Sequence, residues 1–411
     1  MAEFQAASPR ARLSDYGITV GDYPRGILNA ITDIAGVCVG HETIVSGSGP
    51  LIPGVGPVRT GVTVIIPGPE PWDRPRFAGF HCVSGVGELT GLTLVGEWGM
   101  LKGPIALTNT WSVGTVRDAL VAAAVRERQG SSPLWAMPVV GETWDGLLND
   151  VEGQHVGPEH VDAALARAVG GPVREGNVGG GTGMVCHGFK GGIGTSSRLV
   201  TIGNRSFGVG VLVQANHGHR KRLRINGCNV GGLFSVTDVP IPADAGHLYG
   251  RAAIAPPQGR GGSVIVIVAT DAPLLPRQCS RLAQRASFGL ARMGGAGENW
   301  SGDMLLAFST ANPQIAEAHS DLPPLTVAVD QLSDPYIDEL FYAAIDATEE
   351  AIVNALFAAE TMTGRDGNTV HALPLAPVAD ALNRQQLRPK GGQRVVSKIH
   401  LRVLPGGAKG T

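Results

Sequence analysis

The sequence predicts an α/β protein in which sheets pack against one another and helices cover them, within one domain. Short apolar runs rich in β-branched residues recur along the chain, each long enough for one buried strand. A few longer segments have the apolar spacing of amphipathic helices. No central linker divides the 411 residues, so we expect a single domain rather than two.

Six apolar runs are predicted to be buried strands because they are continuous and rich in Val, Ile and Leu. They are residues 62–66, 104–108, 137–140, 207–213, 263–269 and 304–308. Four helices are predicted at 116–128, 158–168, 278–293 and 335–361. The last helix is the clearest, because Asp334 is a suitable N-cap and Pro335 suits the first helical position. The Pro- and Gly-rich tail, 404–411, is expected to fray.

Composition and charge exclude several classes of function. The net charge is −2, from 33 basic and 35 acidic residues, so the chain lacks the electrostatic footprint of a protein that binds nucleic acid or anionic membranes. The one dense basic run, 219–224, is interpreted as a solvated loop or strand edge. We find neither a membrane-spanning apolar run nor a secretory signal, and therefore expect a cytoplasmic protein. Because only 17% of the residues are charged, we expect a homo-oligomer with part of its surface covered.

The sequence predicts no metal and no organic cofactor. Its five cysteines are widely spaced and form no CxxC pair. His217 and His219 have no carboxylate or third histidine near them in sequence, so they are interpreted as loop residues. Two glycine-rich runs, 179–184 and 191–197, lack the features of a phosphate loop. Tight turns and close backbone approach explain these glycines better.

Ser263 is the most informative residue of the chain. It opens a predicted core strand, whereas the Pro- and Gly-rich residues 255–262 are predicted to form a loop. Its hydroxyl could attack the unhindered carbonyl of Gly262, break the chain and leave Ser263 with a free α-amine. That amine, with an ordinary pKa of roughly 7.7–8.0, could then serve as general base for the Ser263 hydroxyl. The alternative is a serine that merely begins a strand.

Ser301 and Asp303 lie two residues apart at the mouth of the strand predicted at 304–308. Side chains two apart in an extended segment point to the same side, so this hydroxyl and this carboxylate could together hold an amine. A simple turn explains the segment equally. A GxSxG elbow, which would indicate an α/β hydrolase, is missing from the sequence.

Two further segments place polar groups after predicted strands. Asn216 follows the strand at 207–213, and its amide could donate to an oxyanion. Glu142 and Asp145 follow the strand at 137–140 with Trp144 between them, a combination suited to a substrate ammonium. Turn-forming residues are the alternative in both places.

Together these segments resemble the DmpA-type family, that is, the L-aminopeptidase/D-Ala-esterase-amidases and the β-peptidyl aminopeptidases. The resemblance covers nearly the whole chain in order, through residues 29–33, 36–41, 59–63, 141–145, 179–197, 213–216, 262–263, 269–276, 301–303 and 307–312. It implies one α/β domain, an αββα four-layer sandwich shared with ornithine acetyltransferase, with a site of the N-terminal-nucleophile kind. It also implies self-cleavage into associated fragments, 1–262 and 263–411, and a homo-oligomer, expected to be a tetramer of processed heterodimers.

The resemblance also implies roles for individual residues. Ser263 resembles the nucleophile and Asn216 the oxyanion donor. Ser301 and Asp303 resemble the pair that positions the amine and hydroxyl of Ser263. Glu142 resembles the acid that receives the free amino group of the substrate.

Two site residues depart from the pattern of some family members. Trp144 occupies a position where the L-aminopeptidase branch has Tyr, so it lacks that hydroxyl and is interpreted as a pocket wall. Asp303 stands where some β-aminopeptidases have Glu, which sets its carboxylate one methylene further back. The insertion between Asn216 and Gly262 is also longer than in the L-aminopeptidase branch.

The predicted function is release of an N-terminal residue from small peptides, amides or esters with a free amine, through an acyl-enzyme on Ser263. An acyltransferase of the ornithine acetyltransferase type is the first alternative, disfavoured because that enzyme self-cleaves before Thr and because Glu142 suits an ammonium. An unprocessed, non-catalytic binding protein is the second, disfavoured by intact Ser263, Asn216 and Asp303. The sequence leaves open whether α-L, D-Ala or β-amino acid residues are preferred.

Overall fold

The structure is a computed structural model that describes residues 10–127, 136–242, 262–315 and 323–386. The tail at 404–411 lies outside this range. The strands are β1 (Cys38–Ser46), β2 (Val58–Ile66), β3 (Arg76–Gly85), β4 (Met100–Leu101), β5 (Ile105–Asn109), β6 (Val139–Thr143), β7 (Val185–Cys186), β8 (Phe189–Lys190), β9 (Gly192–Ile202), β10 (Arg205–Asn216), β11 (Ser263–Thr270), β12 (Gly302–Ser309), β13 (Met362–Thr363) and β14 (Thr369–Val370). The α-helices are α1 (Leu92–Trp98), α2 (Val113–Glu127), α3 (Pro158–Ala166), α4 (Pro276–Arg292), α5 (Ile337–Ala358) and α6 (Leu375–Gln386).

Two sheets carry most of these strands. The four-stranded sheet has the order β1-β2-β5-β6, with β5 and β6 parallel and the other neighbours antiparallel. The six-stranded sheet has the order β4-β3-β12-β11-β10-β9, in which only β11 and β12 are parallel. Two short antiparallel pairs, β7–β8 and β13–β14, lie outside them. The parallel pair β11–β12 occupies the middle of the larger sheet.

The side chains of β11 show how the layers stack. Val264 and Val266 belong to a core shared with α4 and α5, whereas Ile265 and Ile267 belong to a core shared with the four-stranded sheet. Successive side chains of a strand point to opposite faces, so a strand with helices on one face and a sheet on the other is apolar throughout. All eight residues of β11 are buried.

A third core covers the far face of the four-stranded sheet. There Val62 and Val64 of β2 pack with Val116 and Leu120 of α2 and with Val161 of α3. The layers are therefore α2/α3, the four-stranded sheet, the six-stranded sheet and α4/α5, which confirms the predicted αββα sandwich. No helix in the described part of the chain has the length and apolarity needed to cross a membrane.

The observed boundaries correct three sequence predictions. The run 191–197, interpreted as tight turns with close backbone approach, is mostly the first half of strand β9, so the turns were wrong whereas the close approach is confirmed. The strand was not predicted because Gly weakens the sequence pattern of a strand. The glycines allow neighbouring backbone to pack closely: a Cβ at Gly194 would lie 2.0 Å from the carbonyl oxygen of Ala351 in α5. Strand β6 extends to Thr143, beyond the predicted 137–140, so Glu142 lies on the strand rather than after it.

Helix α5 also begins later than predicted. Residues 334–336 form a 3₁₀ turn with Ser333 in the N-cap position, and the α-helix starts at Ile337. Within the basic run 219–224, Arg220 is buried, which contradicts the interpretation of that run as fully solvated. Its guanidinium lies over the ring of Phe189, 4.2 Å from the centroid, and donates to two backbone carbonyls.

Candidate active site

Strand β11 places Ser263 between two other predicted site segments. Ser263 pairs with Asn216 in the antiparallel ladder to β10 and with Gly302 in the parallel ladder to β12. The backbone N–H of Gly302 donates to Oγ of Ser263 at 3.3 Å. Ser263 and Asn216 are both buried. The register of one sheet thus brings together the predicted nucleophile, the predicted oxyanion residue and the segment from Ser301 to Asp303.

Gly262 lies where a side chain would not fit. A Cβ at this position would be 2.4 Å from Cα of His217 and 2.7 Å from the carbonyl oxygen of Asn216. Both are backbone atoms, which cannot rotate away as a side chain can. Residues 255–261 of the predicted loop lie outside the described residues, which resume at Gly262. The predicted scissile carbonyl therefore belongs to a residue held against the end of β10.

The Asp303 carboxylate is buried beside the nucleophile strand. Ser301 Oγ donates to its Oδ1 at 2.5 Å. Burial raises the pKa of Asp303 to about 6; the Ser301 hydrogen bond opposes this rise and the charge of Glu298 adds to it. The carboxyl can therefore change its charge close to neutral pH, one residue along the ladder from Ser263.

The side-chain amide of Asn216 is held at both ends. Its Oδ1 accepts from the backbone N–H of Val185 at 2.7 Å, and its Nδ2 donates to the carbonyl oxygen of Trp144 at 2.9 Å. These two partners fix which end of the amide is the donor. Because Nδ2 carries two hydrogens, the second can serve an oxyanion formed at Ser263.

Glu142 approaches the same place from the four-stranded sheet. Its Oε1 accepts from the backbone N–H of Glu88 at 3.0 Å, and its Oε2 accepts from the hydroxyl of Thr110. Burial raises the pKa of Glu142, and these two hydrogen bonds oppose the rise. A Cβ at Gly87 would lie 2.7 Å from Oε1 of Glu142 and 3.2 Å from Cα of Gly302, the β12 partner of the predicted nucleophile. One glycine therefore separates the carboxylate from the nucleophile region.

Trp144 lines a cavity of about 360 Å³. Its ring packs edge-to-face on Trp111, with the centroids 5.7 Å apart. Leu147, Asp150 and Arg365 also line this space. The indole N–H of Trp144 is buried and has no hydrogen-bond partner among the described residues. Ser263, Asn216 and Glu142 are not among the residues that line this cavity, so the role of Trp144 as a wall of the substrate pocket stays a prediction. The carbonyl of Trp144 accepts from the side chain of Asn216.

Asp145, the second carboxylate of this segment, points into the interior. It is completely buried, and its Oδ1 accepts from the side-chain amide of Asn149 at 3.1 Å. Burial raises the pKa of Asp145 to about 7, against hydrogen bonds from Thr60, Asn149 and Asn109. Asp145 is thus part of a buried polar network, and Glu142 is the better placed of the two for a substrate.

Sequence reasoning missed several residues that support the site. Gly87 and Val185 act through their backbones and carry no chemical signal. Thr110 could have been found, because β5 and β6 are parallel neighbours and Thr108 pairs with Glu142. A hydroxyl two residues beyond that partner lies at the same edge of the sheet as the carboxylate.

His217 and His219 lie in the loop that follows β10, as predicted, but His217 has potential ligand partners that are distant in sequence. The short pair β7–β8 folds against the end of β10 and brings Cys186 and His187 to His217, with one possible ligand atom from each residue within 4.8 Å of the others. About thirty residues separate the two segments, so sequence spacing could not reveal this cluster.

Solved structures share this architecture. A β-aminopeptidase from a Burkholderia species superimposes with a TM-score of 0.81 at 47% identity, covering 92% of this chain and all of that one. The L-aminopeptidase D-Ala-esterase/amidase of Ochrobactrum anthropi gives a TM-score of 0.80 at 39% identity, covering 92% of this chain and 99% of that one. The latter is a prototype of the serine aminopeptidases and a variant of the Ntn hydrolase fold. The fold is therefore that of these hydrolases.

Sequence comparison identifies the family. Residues 29–370 match Peptidase family S58. The β-peptidyl aminopeptidase BapA of Sphingosinicella microcystinivorans is 45% identical over 379 residues, which are 92% of this chain and 93% of BapA. The chain belongs to peptidase family S58 and is a hydrolase, an aminopeptidase. The predicted family and enzyme class are confirmed.

Proposed function

We propose that this aminopeptidase processes itself at Gly262–Ser263 and then uses Ser263 as an N-terminal nucleophile. The observation that carries the proposal is the register of β11, which sets Ser263 between Asn216 and Gly302. A nucleophile, an oxyanion donor and a nearby titratable carboxyl are the parts that acyl transfer needs.

In the processing step, Oγ of Ser263 attacks the carbonyl carbon of Gly262. The peptide C–N bond breaks as an ester forms, and the Ser263 nitrogen takes up the proton lost by the hydroxyl. Water then hydrolyses the ester, leaving a carboxylate on Gly262 and a free α-amine on Ser263. The close packing of Gly262 on β10 supports this assignment, because it holds the carbonyl next to the attacking residue.

In the hydrolytic step, the neutral α-amine accepts the proton of Oγ while Oγ attacks the substrate carbonyl. Asn216 donates its second Nδ2 hydrogen to the oxyanion. Collapse of the tetrahedral intermediate transfers a proton to the leaving amine or alcohol and leaves an acyl-enzyme, which water hydrolyses. Ser301 and Asp303 hold the amine of Ser263. Glu142 receives the ammonium of the substrate, and Trp144 bounds its pocket.

We further propose that N-terminal β-amino acids are the preferred residues. The two relatives of higher identity, at 45% and 47%, are a β-peptidyl aminopeptidase and a β-aminopeptidase, whereas the L-aminopeptidase is 39% identical. Steady-state assays with matched p-nitroanilides of β-homo-Ala, L-Ala and D-Ala test this order. A higher kcat/KM for L-Ala or D-Ala would contradict it.

The processing proposal is tested on a denaturing gel with the purified full chain. We expect two bands, with the smaller fragment beginning at Ser263 by N-terminal sequencing. Ser263→Ala has no hydroxyl to attack Gly262 and should give one intact band, whereas Ser287→Ala, which removes a half-buried helix hydroxyl bonded to the carbonyl of Gln284, should process normally. A single wild-type band would instead favour the non-catalytic binding protein.

Transfer of the acyl group to an amino acid acceptor in preference to water would favour the acyltransferase alternative. The assembly expected from the resemblance, a tetramer of processed heterodimers, remains a prediction. Light scattering on the processed protein measures it, because each associated pair has the mass of the whole chain.

A further inference from the structure

Three potential metal ligands are buried together behind the end of β10. Cys186 belongs to β7, His187 follows it in the turn to β8, and His217 follows Asn216 directly. All three side chains are almost completely buried. The Sγ atom of Cys186 lies 4.0 Å from Nδ1 of His217, and the two imidazole centroids are 5.1 Å apart. A thiol and two imidazoles thus converge on one small volume.

The imidazole of His187 is oriented as a metal-bound histidine is. Its Nδ1 lies 3.1 Å from the carbonyl oxygen of His219 and must donate to it, which leaves Nε2 with a free lone pair. A hydrogen bond from the other ring nitrogen to a carbonyl is the usual way in which proteins fix the tautomer of a ligating histidine. Nε2 of His187 is buried and has no hydrogen-bond partner in the described part of the chain.

The ring of His217 has a similar orphaned atom. Its Nε2 is also buried without a hydrogen-bond partner among the described residues. A buried polar atom left unpaired normally costs about 1–3 kcal/mol. The free Nε2 of His187, with the thiol of Cys186 and Nδ1 of His217 near it, indicates a group that supplies the missing contact; Nε2 of His217 faces away from the Cys186 thiol and is not one of these converging atoms.

We propose that Cys186, His187 and His217 bind one thiophilic transition-metal ion, with Zn²⁺ as the expected ion. Zn²⁺ binds thiolate sulfur at about 2.3 Å and imidazole nitrogen at about 2.0–2.1 Å, so tetrahedral sulfur and nitrogen ligands lie about 3.6 Å apart. The separation of 4.0 Å between the Cys186 and His217 atoms needs only a small contraction to reach that value. One thiolate with two imidazoles also suits Cu⁺, and the experiment separates the two ions.

Binding requires the thiolate form of Cys186. Coordination forms a bond from Sγ to the metal and releases the thiol proton to solvent, as is general for cysteine ligands. The ion would link the β7–β8 pair to the end of β10. Asn216 is the last residue of β10, and its side chain accepts from the backbone N–H of Val185 in β7. The metal would thus position Asn216 without touching substrate, and the inference does not depend on the proposed hydrolytic mechanism.

The test uses the full chain, reduced and freed of metal with a chelator. We expect one Co²⁺ per chain with a thiolate-to-cobalt charge-transfer band, displaced by Zn²⁺ in competition. Cys186→Ser should remove the band and weaken Zn²⁺ binding by at least about 100-fold, more than is usual for loss of an outer-shell partner. Cys279→Ser is the matched control: Cys279 is equally buried and free, but it is not part of the cluster.

A second variant keeps the test valid if Cys186→Ser does not fold. His217→Gln removes one ligand at the loop end, and circular dichroism verifies folding of each variant. Zn²⁺ should raise the unfolding temperature of wild type and Cys279→Ser but not of His217→Gln. Tight binding of Cu⁺ in place of Zn²⁺, lost in the same variants, would support the thiophilic site with copper as its ion. Absence of stoichiometric binding by wild type, or equal binding by His217→Gln, would overturn the proposal.

Discussion

The nucleophile half and the recognition half of the candidate site are built differently. Ser263, Asn216 and Gly302 are direct neighbours in one backbone ladder of the six-stranded sheet. Glu142 comes from the other sheet and is held by a loop amide and by the hydroxyl of Thr110. The first half depends on main-chain pairing, whereas the second depends on side chains and loops that meet across two sheets.

This difference separates chemistry from selectivity. A change of side chain on a loop leaves the β10–β11–β12 register intact, so substrate recognition can vary while the nucleophile stays in place. The overall fold is likewise shared by relatives whose names give different substrates. Enzymes whose names give a β-aminopeptidase and an L-aminopeptidase have nearly equal TM-scores to this chain, 0.81 and 0.80.

The largest expected effect lies in the nucleophile half. Asn216→Ala should lower kcat by about 10²–10³-fold, the usual cost of losing an oxyanion donor. Asn216→Asp keeps an acceptor for the N–H of Val185 but cannot donate, so it separates oxyanion stabilisation from anchoring. If Asn216→Asp retained wild-type kcat, Asn216 would be an anchor rather than a donor. Steady-state kinetics on the processed proteins provide the measurement.

The next effect tests the recognition half. Glu142→Gln keeps the shape and removes the charge, so kcat/KM for a free-amine substrate should fall roughly 10–100-fold, equivalent to a charge-assisted interaction of about 1.5–3 kcal/mol. Processing on a gel should be unaffected, because it involves no ammonium. Glu88→Gln is the matched control: it removes the charge of an exposed neighbour that helps to raise the pKa of Glu142, but keeps the backbone amide that donates to Glu142. Full activity of processed Glu142→Gln would mean that the amine binds elsewhere.

The two reactions of Ser263 should differ in pH dependence. Before cleavage there is no α-amine, and Asp303, with its pKa raised to about 6, should control processing. Asp303 is ionised above that pH, so the rate should fall about tenfold per pH unit below about 6. Hydrolysis should instead lose activity at a higher pH, because its base is the α-amine with an ordinary pKa of roughly 7.7–8.0.

Freshly translated chain, sampled over time at several pH values, gives the processing rates. Asp303→Asn should process slowly and lose the inflection near pH 6. An inflection that persists in Asp303→Asn would assign it to another group.

The smallest effect tests the support of Glu142. Thr110→Val removes the hydroxyl that donates to Oε2, and kcat/KM should fall about 2–10-fold, in line with one hydrogen bond. Thr90→Val is the control, because Thr90 bonds the backbone of Pro138 and Val140 next to the same strand. An equal loss in both variants would indicate displacement of β6 rather than a specific effect on Glu142.

The chemistry-bearing residues were predictable where local pattern was strong. The β-branched run after Ser263 defined its strand, and the alternation of Val and Ile between two cores explains why no polar residue interrupts it. Glu142 was predicted as a site residue although the end of β6 was placed three residues too early. That prediction used the type of residue at position 142 and did not depend on the exact end of the strand. Strand β9 was missed because its glycines allow close backbone approach to distant partners, Gly194 to α5 about 150 residues away and Gly192 to Gly176.

By itself the sequence determined the alternation of strands and helices and the family, and it supplied Ser263, Asn216, Asp303 and Glu142 as candidate site residues, because each depends on local residue types or motifs. Only the tertiary structure decided which residues meet across strands: Gly302 beside Ser263, Thr110 beside Glu142, and Cys186 beside His217. Such meetings depend on sheet order and register, which are selected by the burial of many apolar side chains at once. No short motif encodes that choice.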